Sequence, residues 1–270
     1  MSRLEGTFLA LRDRGERALV TFFMAGDPSL DVTERLITEV DARGADVIEL
    51  GVPFSDPIGD GPVNQRAGER ALAAGTSFVR VLETVARVRA RVKAPIVLMG
   101  YYNPVYAFGL KAFARTAVDA GVDGAIIIDL PPEEATELAA EADVAGLDLI
   151  HLVAPTSTPP RLRLIARKSR GFIYVVSRTG VTGERAEVPA DLADQVRALR
   201  MVTTKPICVG FGIARPAQVA EVGALADGVV VGSAIVRMIE ERGASPGLVS
   251  DVGEFVAGLK APLRAARSSA

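Results

Sequence analysis

Glu49 interrupts the apolar run Asp46-Val-Ile-Glu49-Leu50, and a carboxyl group inside a short hydrophobic strand is costly to ionise unless it is paired, hydrogen-bonded or shifted in pKa. The segment that follows, Gly51-Val-Pro53-Phe-Ser-Asp56-Pro57-Ile-Gly59-Asp60-Gly61-Pro62, reads as a stiff, non-helical loop and ends on a second acid, Asp60. Two carboxyl groups on a strand tip and its following loop suit proton transfer. A lone buried acid is more commonly a structural partner of an arginine, and Asp-Gly is ordinarily a turn; the loop pattern joining the two favours catalysis.

Other chemistries are poorly supplied. His151 and Cys208 are the only residues of their types, which excludes an internal disulfide, a thiolate cage and most protein-ligated zinc or transition-metal sites. His151 reads as a core or mouth residue and Cys208 as a small core hydrophobe. The five lysines, Lys93, Lys111, Lys168, Lys205 and Lys260, fall on helical or surface positions or, for Lys205, ahead of a strand at the wrong face for a Schiff base. Carboxylate acid–base catalysis is the route left open.

These residues need a scaffold. Short β-branched runs recur at Ala18–Met24, Asp46–Leu50, Pro95–Met99, Gly124–Asp129, Leu147–Val153, Phe172–Ser177, Pro206–Gly210 and Gly228–Gly232. Amphipathic stretches at Leu30–Arg43, Phe78–Val92, Leu110–Ala120, Pro132–Ala145, Pro160–Lys168, Ala190–Met201 and Ala214–Val222 lie between them. Eight βα units in 270 residues fit an α/β fold of the (β/α)8 TIM barrel type. An open doubly wound sheet is the rival, weakened because Ala25-Gly-Asp-Pro28 after the first strand is no dinucleotide fingerprint. Arg3–Arg14 adds an N-terminal helix and Ser245–Ala265 a C-terminal one, and residues 1–270 read as a single domain. A net charge of −2 makes no electrostatic case for nucleic acid or an anionic membrane. Without a signal-peptide pattern or membrane span, the expected location is cytoplasmic.

In such barrels the active site lies at the C-terminal ends of the strands. Glu49 ends the second strand and Asp60 follows it on the loop, Tyr101 follows the third, Asp129 the fourth, and Thr182 and Gly183 the sixth, all at one mouth. Gly210-Phe211-Gly212-Ile213 after strand seven and Val231-Gly232-Ser233-Ala234 after strand eight form the expected phosphate cradle, with glycine N–H groups and the Ser233 hydroxyl as donors. Val181-Thr182-Gly183 is placed to fold over it as a lid.

ELGVPFSDPIGDGP resembles the signature of the tryptophan synthase alpha chain family, whose usual form reads roughly ELGIPFSDPxADGP. Phe22-Phe-Met-Ala-Gly-Asp-Pro28, Met99-Gly-Tyr-Tyr-Asn-Pro104, Ile128-Asp-Leu-Pro131, Ser177-Arg-Thr-Gly-Val-Thr-Gly183, Gly210-Phe-Gly-Ile213 and Val231-Gly-Ser-Ala234 resemble further family segments in the family's order. The resemblance implies a retro-aldol lyase that cleaves indole-3-glycerol phosphate, with Glu49 as general acid/base and Asp60 accepting a hydrogen bond from the indole N–H. Tyr174 matches a family tyrosine near these acids, while Phe22, Ile126 and Phe211 line the apolar pocket. It also implies no cofactor in this chain and a pyridoxal-phosphate beta chain as partner in an α2β2 tetramer, contacted through Pro53, Asp56, Asn103 and Pro104. Three departures stand out: Gly59 where alanine or another small residue is usual, expected to loosen the loop; Asn64 where an apolar residue is common; and the Tyr102-Asn103-Pro104 loop, which differs in detail from some relatives. The rival readings are another phosphate-binding barrel, such as a sugar-phosphate isomerase or epimerase, and a non-catalytic activator of a beta chain.

Overall fold

The computed structural model describes residues 1–176, 191–210 and 212–264. Its strands are β1 (Ala18–Met24), β2 (Val47–Gly51), β3 (Ile96–Gly100), β4 (Gly124–Ile127), β5 (Asp148–Leu149), β6 (Leu152–Val153), β7 (Ile173–Val176), β8 (Ile207–Gly210) and β9 (Gly228–Val231). They pair in parallel in the order β5-β4-β3-β2-β1-β9-β8-β7-β6. β5 and β6 are the two halves of the expected fifth strand, and the sheet closes through the residues between them. Ile150 N donates to Ala125 O on one side, at 3.0 Å, and Tyr174 N donates to His151 O on the other, at 3.3 Å. The result is a (β/α)8 barrel, with β7, β8 and β9 as the expected sixth, seventh and eighth strands.

The helices are α1 (Arg3–Asp13), α2 (Leu30–Ala42), α3 (Pro62–Ala73), α4 (Phe78–Arg89), α5 (Tyr102–Phe108), α6 (Leu110–Ala120), α7 (Thr136–Ala145), α8 (Pro159–Lys168), α9 (Leu192–Arg200), α10 (Pro216–Gly223), α11 (Ser233–Arg242) and α12 (Leu248–Lys260). Start and stop signals act as the sequence suggests. The Ser29 hydroxyl accepts from Val32 N to cap α2, and Gly121 and Gly146 end α6 and α7 in the left-handed conformation that glycine adopts without strain. α3, α5 and α11 lie outside the helical stretches expected from the sequence. Pro62 opens α3 at its first turn, where a missing N–H costs nothing, so the proline that reads as loop is a helix start. α7 begins at Thr136, later than Pro132, because Glu134 N bonds Pro131 O in a turn first.

Strand alternation places Val20, Val47, Val97, Ile126, Ile150, Phe172, Cys208 and Val230 in one cluster inside the barrel. Leu4, Phe8 and Leu11 of α1 close its floor, with the Phe8 and Phe172 rings 5.7 Å apart. Each such buried side chain contributes about 1.5–3 kcal/mol. At the same floor Asp46, Asp123 and Asp227 accept from amides at the start of the neighbouring strand, Leu19 N, Ile96 N and Ile207 N, at 2.7–2.8 Å. Lys260 belongs here too: it is buried, and its Nζ donates 2.8 Å to Asp46 and 3.0 Å to Arg17 O. With its floor sealed, the barrel is left with chemistry at the other end only.

Candidate active site

Glu49 lies mid-strand in β2 with its side chain inward, between Val47 and Gly51, and directly opposite Phe22 of β1. It is 1% exposed, and neither carboxyl oxygen has a hydrogen-bond partner among the described residues. Burial first, and the neighbouring charge of Asp60 second, push its pKa up to about 8. At neutral pH Glu49 is therefore mostly a neutral acid holding a proton.

Asp60 is more deeply placed than a loop residue suggests, at 6% exposed. Burial raises its pKa as well, but two donors favour its charged form. Tyr101 Oη donates to Oδ2 at 2.9 Å and Asn64 Nδ2 to Oδ1 at 3.3 Å. Gln65 Nε2 holds the same residue's backbone carbonyl at 2.9 Å. Tyr101 is itself oriented by Gly59 N, which donates 3.0 Å to its hydroxyl. Glu49 without donors and Asp60 with two is the asymmetry that separates an acid from a stabilising carboxylate.

The remaining expected residues fall around this pair. Tyr174 points inward from β7; burial, then the charge of Glu49, raises its pKa, so it stays an O–H. A Cβ at Gly210 would come within 2.6 Å of that hydroxyl, so the glycine of β8 makes its room. The Phe22 ring lies against Gly51 and Gly232, where added Cβ atoms would stand 3.0 and 3.1 Å away, joining β2 to the turn that precedes α11. Ile126 is fully buried in the inner cluster. Gly212 has φ +82°, and Gly232 caps α11, whose first residue is Ser233. The first-turn N–H groups of a helix lack intrahelical acceptors and face an anion readily. Thr182, Gly183 and Phe211 lie outside the described residues.

Of the expected partner contacts, Asp56 and Asn103 are exposed, Pro104 is half-buried and Pro53 is buried within the chain. Ile58, 82% exposed, and Tyr106, 64% exposed, lie beside them on the loop after β2 and on α5. Ile128 also escaped the sequence reading: its Cγ2 would be 2.8 Å from a Cβ on Gly59. Glycine there lets the loop lie close, rather than loosening it. A cavity of about 400 Å³ opens at the sealed floor between α1 and Lys205 and touches neither acid. Among the described residues no group of three or more His, Cys, Asp or Glu side chains is placed to hold a metal.

Lys205 Nζ bonds Ala166 O and Ser169 O at the floor, and His151 is buried, its pKa depressed by that burial to about 4. Neither is placed for the chemistry at the mouth. Fold and site together are those of a barrel enzyme of the carboxylate acid–base class. Comparison with known proteins narrows this. The family model for the tryptophan synthase alpha chain matches residues 8–260. A tryptophan synthase alpha chain of Geobacter sulfurreducens is 54% identical over 260 residues, covering 96% of this chain and 98% of the relative. The tryptophan synthase subunit alpha of Legionella pneumophila superposes with a TM-score of 0.90 at 37% identity, covering 97% of this chain and 98% of that one. A chain of tryptophan synthase from M. tuberculosis, in an aminoacrylate-bound form, gives 0.88 at 35% identity over 98% of this chain and 100% of that one. The chain belongs to the tryptophan synthase alpha chain family.

Proposed function

We propose that Glu49 and Asp60 carry the carbon–carbon cleavage of this family, in which indole-3-glycerol phosphate yields indole and glyceraldehyde 3-phosphate. Protonated Glu49 delivers its proton to indole C3, giving an indoleninium ring. The resulting carboxylate takes the proton of the side-chain hydroxyl next to the ring; the C–O⁻ electrons form the aldehyde carbonyl as the C–C bond breaks and its electron pair returns to the ring. Asp60 accepts a hydrogen bond from the ring N–H and offsets the positive charge while it exists. Tyr174 stands beside Glu49, Phe22 and Ile126 supply apolar walls, and Gly212, Gly232 and Ser233 hold the phosphate, joined by Thr182, Gly183 and Phe211.

The single observation that carries these roles is the contrast between the two acids: one buried without a donor among the described residues, the other buried with two. Glu49→Gln should lower the rate of indole release by about 10²–10⁴-fold, and Asp60→Asn should do so through charge stabilisation while binding of a phosphate-bearing analogue persists. Turnover close to wild type in either variant refutes its assignment.

The enzyme works as the alpha subunit of an α2β2 tetramer in tryptophan biosynthesis, and the pyridoxal phosphate belongs to the beta chain. We place the beta contact on Asp56, Asn103 and Pro104 with exposed Ile58 and Tyr106 beside them, and Pro53 supporting the loop from beneath. No described helix is long and apolar enough to cross a membrane, in keeping with a cytoplasmic site of action for residues 1–270 as one domain.

A further inference from the structure

We propose that Asn64 is a positioning residue of Asp60 and offers its own side-chain carbonyl as a second acceptor for the ring N–H of the substrate. The inference rests on the roles given above to Glu49 and Asp60 and deepens the recognition of the indole nitrogen. Asn64 occupies the third position of α3 and is 6% exposed, on the same buried face as Ala67, Gly68 and Ala71. A carboxylate only accepts, so the amide NH₂ makes the contact with Asp60 Oδ1, at 3.3 Å, and the carbonyl Oδ1 is left for another donor. That oxygen is buried and has no hydrogen-bond partner among the described residues.

A buried acceptor without a donor weakens the fold, since the water it lost is not replaced. An apolar residue of similar volume would avoid the cost, so the polar group has its use when a donor arrives. The oxygen belongs to the same planar amide that grips Asp60 and therefore lies beside that carboxylate, where the substrate brings one N–H. One helical turn on, Gly68 leaves space, a Cβ there meeting only Met24 Cε at 3.9 Å. Asp60 is also faced by Tyr101, which donates to it, and by the titrating Glu49.

The test pairs a residue change with a ligand change. The probes are a non-cleavable indole bearing a deoxygenated three-carbon phosphate arm at C3 and its benzofuran counterpart, in which oxygen replaces N–H. In the wild-type chain the benzofuran should bind at least tenfold more weakly. In Asn64→Leu that ratio should shrink at least threefold, the acid limb of kcat/KM should move to higher pH, and kcat should fall more than KM changes. Asn64→Ser, a smaller change, should behave alike if Asn64→Leu does not fold. An unchanged N–H to oxygen ratio in a folded variant, with an unmoved acid limb, overturns the proposal. Wild-type indole release and its loss in Glu49→Gln report separately on the underlying roles.

Discussion

Arg70 grips Asp27 through two parallel hydrogen bonds, Nε to Oδ1 and Nη2 to Oδ2, each 2.8 Å long. Asp27 follows β1 and is 1% exposed, whereas Arg70 stands on α3, the helix that the Asp60 loop leads into. Arg70 Nη1 also reaches Glu240 of α11 at 2.9 Å, and Arg66 takes both Glu240 oxygens at 2.6 and 2.8 Å. The helix that follows the acid loop, α3, and the helix that follows the Gly232 turn, α11, are thereby tied to one buried aspartate.

Arg70→Gln leaves Asp27 buried without its counter-charge, and removing one partner of such a pair costs about 3–5 kcal/mol. Part of Arg70 is solvated, so the lower end is expected. Urea unfolding should show the loss, and kcat should fall with it as the acids lose their setting relative to the phosphate. A variant within 0.5 kcal/mol of wild type, on the order of an ordinary surface change, would falsify the tie.

Tyr101→Phe removes one of the two donors on Asp60 while keeping the ring that packs on Phe54 at 5.4 Å. A hydrogen bond to a charged group is worth about 1.5–3 kcal/mol, so kcat/KM should drop by about tenfold or more. Asp60, already raised by burial, should titrate higher still, moving the acid limb of the pH profile upward. A limb that stays in place would show that Tyr101 does not govern this charge.

Glu49 links stability to pH. Its carboxyl titrates near 4.5 in an unfolded chain and at about 8 in the fold. Below pH 4.5 it is protonated in both states and carries no penalty. Between 4.5 and 8 only the unfolded chain ionises, so stability declines as pH rises, and above 8 the deficit is constant. Glu49→Gln lacks this titration. Its stability advantage over wild type should grow from pH 4 to pH 9 by several kcal/mol in order of magnitude, read by denaturant unfolding. Parallel pH curves for the two chains would contradict the burial argument.

Gly59→Ala places a methyl group 2.8 Å from Ile128 Cγ2 and 3.4 Å from the Tyr101 hydroxyl. Overpacking of this kind costs about 1–3 kcal/mol, here in the loop that aims Asp60. A fall in kcat of about tenfold, or ~1.4 kcal/mol, is expected, with much of it restored by Ile128→Ala in the same chain. If the single variant turns over at the wild-type rate, Ile128 yields and the fit is not limiting.

Glu49 and Asp60 stand out as candidates in the sequence because a carboxyl group in an apolar strand and an acid in a Pro/Gly loop violate local rules that no nearby residue explains. The barrel was readable too, since hydrophobic period and strand spacing are local properties repeated along the chain. Helix α3 was masked by Pro62, and the fifth strand hid its division at Ile150 and His151, because both depend on what lies across the sheet.

What the sequence determined by itself is the chemistry available: two acids, glycine turns after the last strands, a single histidine and a single cysteine, and family segments in order. Tertiary structure alone decided how the two acids differ. Tyr101 and Asn64 bring hydrogen-bond donors to Asp60 while none among the described residues reaches Glu49, and Gly59 has room only because of where Ile128 stands. Tyr101 and Ile128 come from distant parts of the chain, and Asn64 acts only because α3 turns it inward. The charge of a buried group is set by neighbours in space, which residue order does not encode locally.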